Sequence, residues 1–310
     1  MRDAPRARLT IAVMALLLAL APLVIYPVFL MEALCFALFA CAFNLMLGYG
    51  GLLSFGHAMF LGTAGYVSAH VAKEWGFPPE LAILTGTAAC ALLGLVVGLL
   101  AIRRQGIYFA MITLALAQMI FFFYLQTPFT HGEDGIQGVP RGRLFGVLNL
   151  DNTLVLYYVV LVIFLAAFLL IYRVVHSPFG QVLKAIRENE PRAISLGYDA
   201  DRYKLVAFVL SAALSGLAGS TKAIVVQLAS LTDVHWTMSG EVVLMTLLGG
   251  MGTIFGPVVG AFVIISLQHY LAVFGQWVTV IQGVIFVICV LAFRRGIVGE
   301  LAAWWSRRGG

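Results

Sequence analysis

Long apolar runs, broken by short polar or glycine-rich interruptions, fill most of the chain between residues 9 and 294. A helix of about 20 apolar residues crosses the hydrocarbon layer, and there the backbone must satisfy its own hydrogen bonds. The pattern predicts spans over 9–30, 31–48, 56–72, 81–102, 106–127, 153–173, 205–225, 256–273 and 277–294, with a shorter one near 240–250. That gives an all-α polytopic membrane protein of about ten transmembrane spans, organised as a single domain over 1–310. The first run begins after Arg2, Arg6 and Arg8, and Ala19-Leu20-Ala21 has the look of a signal-peptide cleavage site. Pro22 follows it and the run continues to Leu30, which predicts an uncleaved first span.

Two interruptions are long: a loop over 128–152 and a polar block over 176–204. Of 19 basic and 14 acidic side chains in the chain, nine lie in that block. Within it, Gln181 to Glu190 predicts a short helix with Val182, Leu183 and Ile186 on one face. Pro191 cannot continue that helix but suits the start of another, capped by Asn189 or Glu190. Ala193, Ile194 and Leu196 follow, and Gly197 supplies a left-handed stop. Two short helices with small apolar faces have the form of a peg for a groove on another protein; a solvated connector is the alternative.

Two glycine-rich breaks interrupt the apolar pattern. One is Leu47-Gly-Tyr-Gly-Gly-Leu-Leu-Ser-Phe-Gly56 and the other is Leu248-Gly-Gly-Met-Gly-Thr-Ile-Phe-Gly-Pro257. Irregular backbone at membrane depth is tolerated against protein or a water-filled cavity, and paired broken helices often mark a transport pathway. Close helix packing through small residues is the competing account. The pathway candidates are Asn44, Gly50, Gly51, His57, Gly249, Gly250 and Gly252. Neither break carries the Gly-Lys-Ser/Thr ending of a phosphate loop.

Composition agrees with the pattern. The chain is 62% hydrophobic and 11% charged, against about half and a quarter in a soluble domain, and its mean hydropathy is +0.99. The net charge of +5 matters through its distribution, since Lys and Arg accumulate in cytoplasmic loops, and it gives no nucleic-acid signal. With the amino terminus inside, the predicted inner segments hold 15 of the 19 basic residues. Lys73, Arg141 and Arg143 fall outside and Lys222 at a span end. Both termini and the block over 176–204 are thus expected in the cytoplasm. At the carboxyl end, Ile297, Leu301, Trp304 and Trp305 share one helical face, which predicts a helix lying on the inner membrane surface.

Candidate chemistry is sparse. Cys35, Cys41, Cys90 and Cys289 lie in apolar runs without metal-ligand spacing. The six histidines form no HExxH motif, and no serine or cysteine nucleophile motif is present, so no catalytic site is expected. Glu32, Lys222 and Glu241 sit near predicted outer ends, and no titratable group falls at the centre of a predicted span. That argues against an ion-coupled secondary transporter, which places such groups near the midplane.

Four stretches, in order between about residues 31 and 296, resemble permeases of branched-chain amino acid ABC importers. They are Asn44 to His57, Thr130 to Pro140, Arg187 to Gly197 running into Lys204 to Phe208, and Ser239 to Thr253. The long loop before Pro140 is similar to the LivM-like member of the permease pair. Two departures are local: Phe55 stands where leucine is commoner, and Pro191-Arg192 where a small or aliphatic pair is frequent.

The resemblance implies a permease of the bacterial inner membrane with no cofactor of its own. Its expected partners are a second, LivH-like permease, two cytoplasmic ATPase subunits that use ATP, a periplasmic solute-binding protein and membrane lipid. It implies Glu188, Glu190, Pro191, Arg192, Ala193 and Gly197 as ATPase-coupling contacts. It points to His131, Glu133, Asp134 and Arg141 as contacts for the binding protein. Branched-chain amino acids are the expected solute; urea, amides and aromatic acids are carried by related permeases.

Overall fold

The structure, a computed structural model, describes residues 4–292 and 296–300. The predicted surface helix at the carboxyl end depends on Leu301, Trp304 and Trp305, which lie outside the described residues.

The fold is a bundle of helices: α1 (Ala4–Leu20), α2 (Pro27–Asn44), α3 (His57–Lys73), α4 (Pro79–Ala101), α5 (Ile107–Gln126) and α6 (Thr153–His176), then α7 (Pro178–Glu188), α8 (Glu190–Ser195), α9 (Ala200–Val226), α10 (Trp236–Gly249), α11 (Gly256–Leu271) and α12 (Val278–Ala292). Five segments are long and apolar enough to cross a membrane: Pro27–Tyr49, Pro79–Ala101, Ile107–Gln126, Thr153–His176 and Ala200–Val226. Shorter apolar helices accompany them. The chain is a multi-pass membrane protein.

The predicted boundary between the first two spans is corrected. A tight turn over Ala21–Leu23 ends α1, and Pro27 stands in the first turn of α2, so the break falls near residue 24 rather than 30. The loop over 128–152 also contains short strands that apolar periodicity does not reveal. β1 (Ile136–Gln137) pairs antiparallel with β4 (Leu228–Ala229), and β2 (Arg143–Leu144) with β3 (Leu148–Asn149).

The core is built around α2, buried along its length from Leu30 to Asn44. Helices α9, α6 and α11 pack directly on α2, and α3 and α4 pack on α9. Small residues set the spacing. A Cβ on Gly219 would stand 2.0 Å from the Leu61 carbonyl oxygen, and one on Gly216 would stand 2.5 Å from Cys90 Cβ. In lipid, such close approach is the main source of helix cohesion. Between α10 and α11, Gly249 and Gly260 each leave room for a facing backbone carbonyl.

Helix α3 starts inside the bundle. The segment leading into it is held by Phe55, whose N–H donates to Thr113 Oγ1 at 3.2 Å, seven residues into α5. Helix α10 is similarly short, 14 residues or about 21 Å of rise. Its first turn lies against that of α3, where Ala58 N–H donates to Ser239 Oγ at 2.9 Å. Two broken segments therefore present helix amino termini to one another within the bundle and run to opposite ends.

Candidate functional site

The polar block folds as expected and its details assign roles. Ser177 Oγ caps α7, with Pro178 at its start, so the helix begins three residues before Gln181. Asn189 leaves the helical conformation, and its Oδ1 accepts from Arg192 N–H at 3.1 Å to cap α8. Gly197, at φ +91°, turns the chain back, and Tyr198 N–H donates to Ala193 O at 3.2 Å. Asp199 then caps α9.

Ile186, Ala193 and Ala200 form a small core between α7, α8 and α9, with Val182 and Tyr203 packed on it. Lys204 Nζ lies 2.6 Å from Glu190 Oε2, with side-chain exposures of 3% and 18%. The two short helices are thus fastened to the base of α9. Of the predicted coupling residues, Glu190 and Ala193 face inward and hold the platform together. Glu188, Pro191, Arg192 and Gly197 are exposed. Ile194, Leu196 and Tyr198 join them as outward apolar side chains, 55%, 70% and 40% exposed.

The platform reaches the glycine breaks through Arg187. Its Nη1 donates to Gly48 O, and its side chain lies where a Cβ on Gly51 would meet Cγ at 2.8 Å. A Cβ on Gly252 would stand 3.5 Å from Arg187 Nη1. Asn44 ties the two breaks to each other: Nδ2 donates to Thr253 O at 2.8 Å, and Oδ1 accepts from Gly252 N–H at 3.0 Å. Gly48 is required there, since a Cβ would stand 2.7 Å from Gly252 N. Gly50 is buried beside the Met46 carbonyl, and Gly249 and Gly250 are buried at the α10–α11 turn. A cleft of about 560 Å³ opens beside this junction, lined by Tyr49, His176, Lys184, Arg187, Glu188 and Phe255 among others.

Asn44 and the break glycines thus converge at one place. His57 stands apart. Its Nε2 is 2.9 Å from Ser211 Oγ, and the Ser211 hydroxyl donates to Ala42 O at 2.6 Å. With that proton committed, Nε2 is the donating nitrogen. The ring is fully buried among Phe43, Phe60 and Phe208. It fastens α3 to α2 and α9.

At the opposite end, the loop over 128–152 is stitched to the bundle. Lys73 Nζ donates to Gln137 O at 2.9 Å, and Val139 exchanges hydrogen bonds with Gln227. Arg141 Nη2 donates to Val225 O at 2.8 Å, satisfying a free carbonyl at the end of α9. His131, Glu133 and Asp134 are exposed at the tip.

Two of the charges expected near span ends have partners inside the protein. Lys222 turns inward: Nζ lies 2.5 Å from Asp233 Oδ1, with both side chains little exposed, and 5.2 Å from the centre of the Phe36 ring. Glu241 is eight residues, about 12 Å, from the end of α10, and Gln268 Nε2 donates to its Oε2 at 3.0 Å. It is five residues from the start of α10, and Gln268 is three residues from the end of α11.

Sequence reading missed Arg187, Lys204 and Gln268 as working residues. Arg187 had a signal: it follows Leu183 by one helical turn, on the face that turns toward the bundle. Lys204 and Gln268 act through partners distant in sequence, which no local pattern reveals.

Comparison with known proteins agrees with this architecture. The family model described as branched-chain amino acid transport system / permease component matches residues 27–290. The high-affinity branched-chain amino acid transport system permease protein LivM of Escherichia coli K12 is 26% identical over 277 residues, covering 82% of this chain and 65% of that protein. The fructose import permease protein FrcC of Rhizobium meliloti is 25% identical, covering 77% of this chain and 68% of that protein. The ribose import permease protein RbsC of Bacillus subtilis is 29% identical, covering 71% and 70%. The chain spans about two thirds of the length of LivM. No solved structure matches it. With the family model covering the bundle from α2 into α12, the chain belongs to the branched-chain amino acid transport system permease components.

Proposed function

We infer that this chain is a transmembrane permease subunit of an ATP-binding-cassette importer in the bacterial inner membrane, and that it carries branched-chain amino acids. The observation that carries the reading is the mechanical path from α8 through Arg187 to Gly48 and, through Asn44, to Gly252. A solvated connector needs neither an outward apolar face nor a charged side chain inserted into a helix break.

In this reading the basic end, with α7 and α8, faces the cytoplasm, and the chain crosses about ten times. The short α3 and α10 complete their crossings with irregular segments. An ATPase subunit grips Ile194, Leu196 and Tyr198. Its ATP-bound state prefers one arrangement of the platform, and that differential affinity shifts the permease between its two open states. Arg187 passes the displacement to both breaks together. At the periplasmic end, His131, Glu133 and Asp134 meet a solute-binding protein. A second permease completes the membrane pore, and the chain itself performs no chemistry. The LivM relative supports the choice of solute; FrcC and RbsC are named for sugars.

The test is purification of the tagged chain from its own cells in mild detergent, reconstitution in vesicles, and uptake of labelled leucine with and without ATP. Co-purifying ATPase subunits and a second permease, with ATP-dependent uptake, are expected. Uptake driven by a proton or sodium gradient without partner proteins would overturn the reading.

A further inference from the structure

Helix α10 does not bury its whole circumference. Ser239, Val242, Met245 and Thr246 are buried. Thr237, Gly240, Glu241 and Leu244, spaced by three or four residues, form another stripe. Thr237 is exposed, and Glu241 and Leu244 are half-buried. A Cβ built on Gly240 would meet no heavy atom within 4 Å. Glu241 thus borders a space that no described residue fills at Gly240.

The carboxylate in that stripe constrains what fills the space. A carboxylate held against hydrocarbon is costly, and such groups face protein or water. Lys222, the nearby cation, is already paired with Asp233 at 2.5 Å. Among the described residues the hydrogen-bond donor to Glu241 is Gln268, a neutral amide. The carboxylate is therefore oriented but its charge is not neutralised by that partner. Gln268 lies twelve residues, about 18 Å, beyond the start of α11 and three residues before its end, so the pair stands well away from the glycine junction. Its surroundings on α10, Gly240 and Leu244, are small or apolar.

We propose that Glu241, oriented by Gln268, binds the ammonium group of the solute along its route, with the solute's apolar side chain lying over Gly240 and Leu244. The proposal rests on the reading of this chain as an importer's permease. It requires the α10 stripe to face water in the assembled transporter, and it makes Glu241 a solute-binding residue while Gln268 positions it.

Two measurements on the complete, membrane-embedded transporter test this. In the first, Glu241→Cys and, separately, Thr237→Cys are treated with a charged, water-soluble thiol reagent, with Leu92→Cys on the exposed face of α4 as the lipid-facing control. Labelling at 241 and 237 but not at 92 is expected, slowed by saturating leucine at 237, where the Glu241 carboxylate is kept. Failure of both positions to label would overturn the proposal, and Thr237→Cys keeps the test alive if the first variant does not assemble. In the second, Glu241→Gln is expected to lower leucine uptake about tenfold or more, the value of a hydrogen bond to a charged group, while ATP hydrolysis by the complex persists. Undiminished uptake would overturn the ammonium site. If wild-type vesicles import no leucine but positions 241 and 237 still label, the water-lined stripe stands and the choice of leucine falls.

Discussion

The two ends of the bundle carry loops of similar length and opposite construction. At one end the chain folds 176–204 into two capped helices on a small core, closed by the Glu190–Lys204 ion pair. At the other, 128–152 runs as short strand pairs and tight turns, tied down by Lys73, Arg141 and Gln227. A helical platform whose parts pack on each other moves as one body and can push. A stitched loop with charged side chains at its tip holds a surface in place and can be read by a partner. In the proposed reading the contrast separates force transmission from recognition, and substitutions at both ends test it.

The largest effect is expected at the ion pair that makes the platform rigid. Glu190→Gln leaves Lys204 buried without its counter-charge, which costs about 3–5 kcal/mol when one partner of a buried pair is removed. Thermal unfolding in detergent should fall by many degrees, and the double variant Glu190→Leu, Lys204→Met should recover most of the loss. The Asp199–Arg202 pair in the same block is exposed, at 51% and 85%, so Asp199→Asn should cost about 1 kcal/mol or less, including its share of the α9 cap. Equal losses at the two pairs would remove the distinction between internal fastening and solvated charge.

Arg187 comes next. Arg187→Ala removes a charged hydrogen bond to Gly48 O, worth about 1.5–3 kcal/mol. The platform itself, built on Ile186, Ala193 and Ala200, is left intact. Uptake should fall by about ten- to a hundredfold while the ATPase subunits still co-purify and still hydrolyse ATP. Parallel loss of ATPase binding would place Arg187 on the docking face rather than on the path inward. Leu196→Asp should do the reverse. Leu196 is 70% exposed, so the thermal midpoint should hold within about 0.5 kcal/mol, and the ATPase subunits should no longer co-purify.

How much of this was legible in the sequence follows the range of the interactions. Helices α4, α5, α6 and α12 were predictable because length and hydropathy dictate them. The α7–α8 pair was predictable because Asn189, Pro191 and Gly197 act on adjacent backbone groups. Helix α9 begins at Ala200 rather than 205 because the Asp199 cap extends it past the apolar run. The junction of the two glycine breaks was half visible: their composition marked them, but Asn44 reaches Gly252 across 208 positions. The Gln268 partner of Glu241 was hidden for the same reason. So was the packing of the first turn of α10 against Ala58, a contact that no local pattern encodes.

The smallest effect is expected at the far tip, and it carries the sharpest discrimination. Glu133 and Asp134 are exposed and make no ion pair among the described residues. Replacing both with lysine should leave thermal stability within about 0.5 kcal/mol and leave basal ATP hydrolysis unchanged. If the tip is a recognition surface, reversing its charge alters the encounter with a charged partner. The stimulation of ATP hydrolysis by the solute-binding protein should then change several-fold at low salt, and the difference should shrink as ionic strength rises and the Debye length falls below about 10 Å. The measurement is ATPase stimulation against binding-protein concentration at two salt levels. A salt-independent change would mean that the lysines distort the stitched loop, and the same assay on Arg141→Ala, which frees Val225 O and so does distort it, supplies the reference for that outcome.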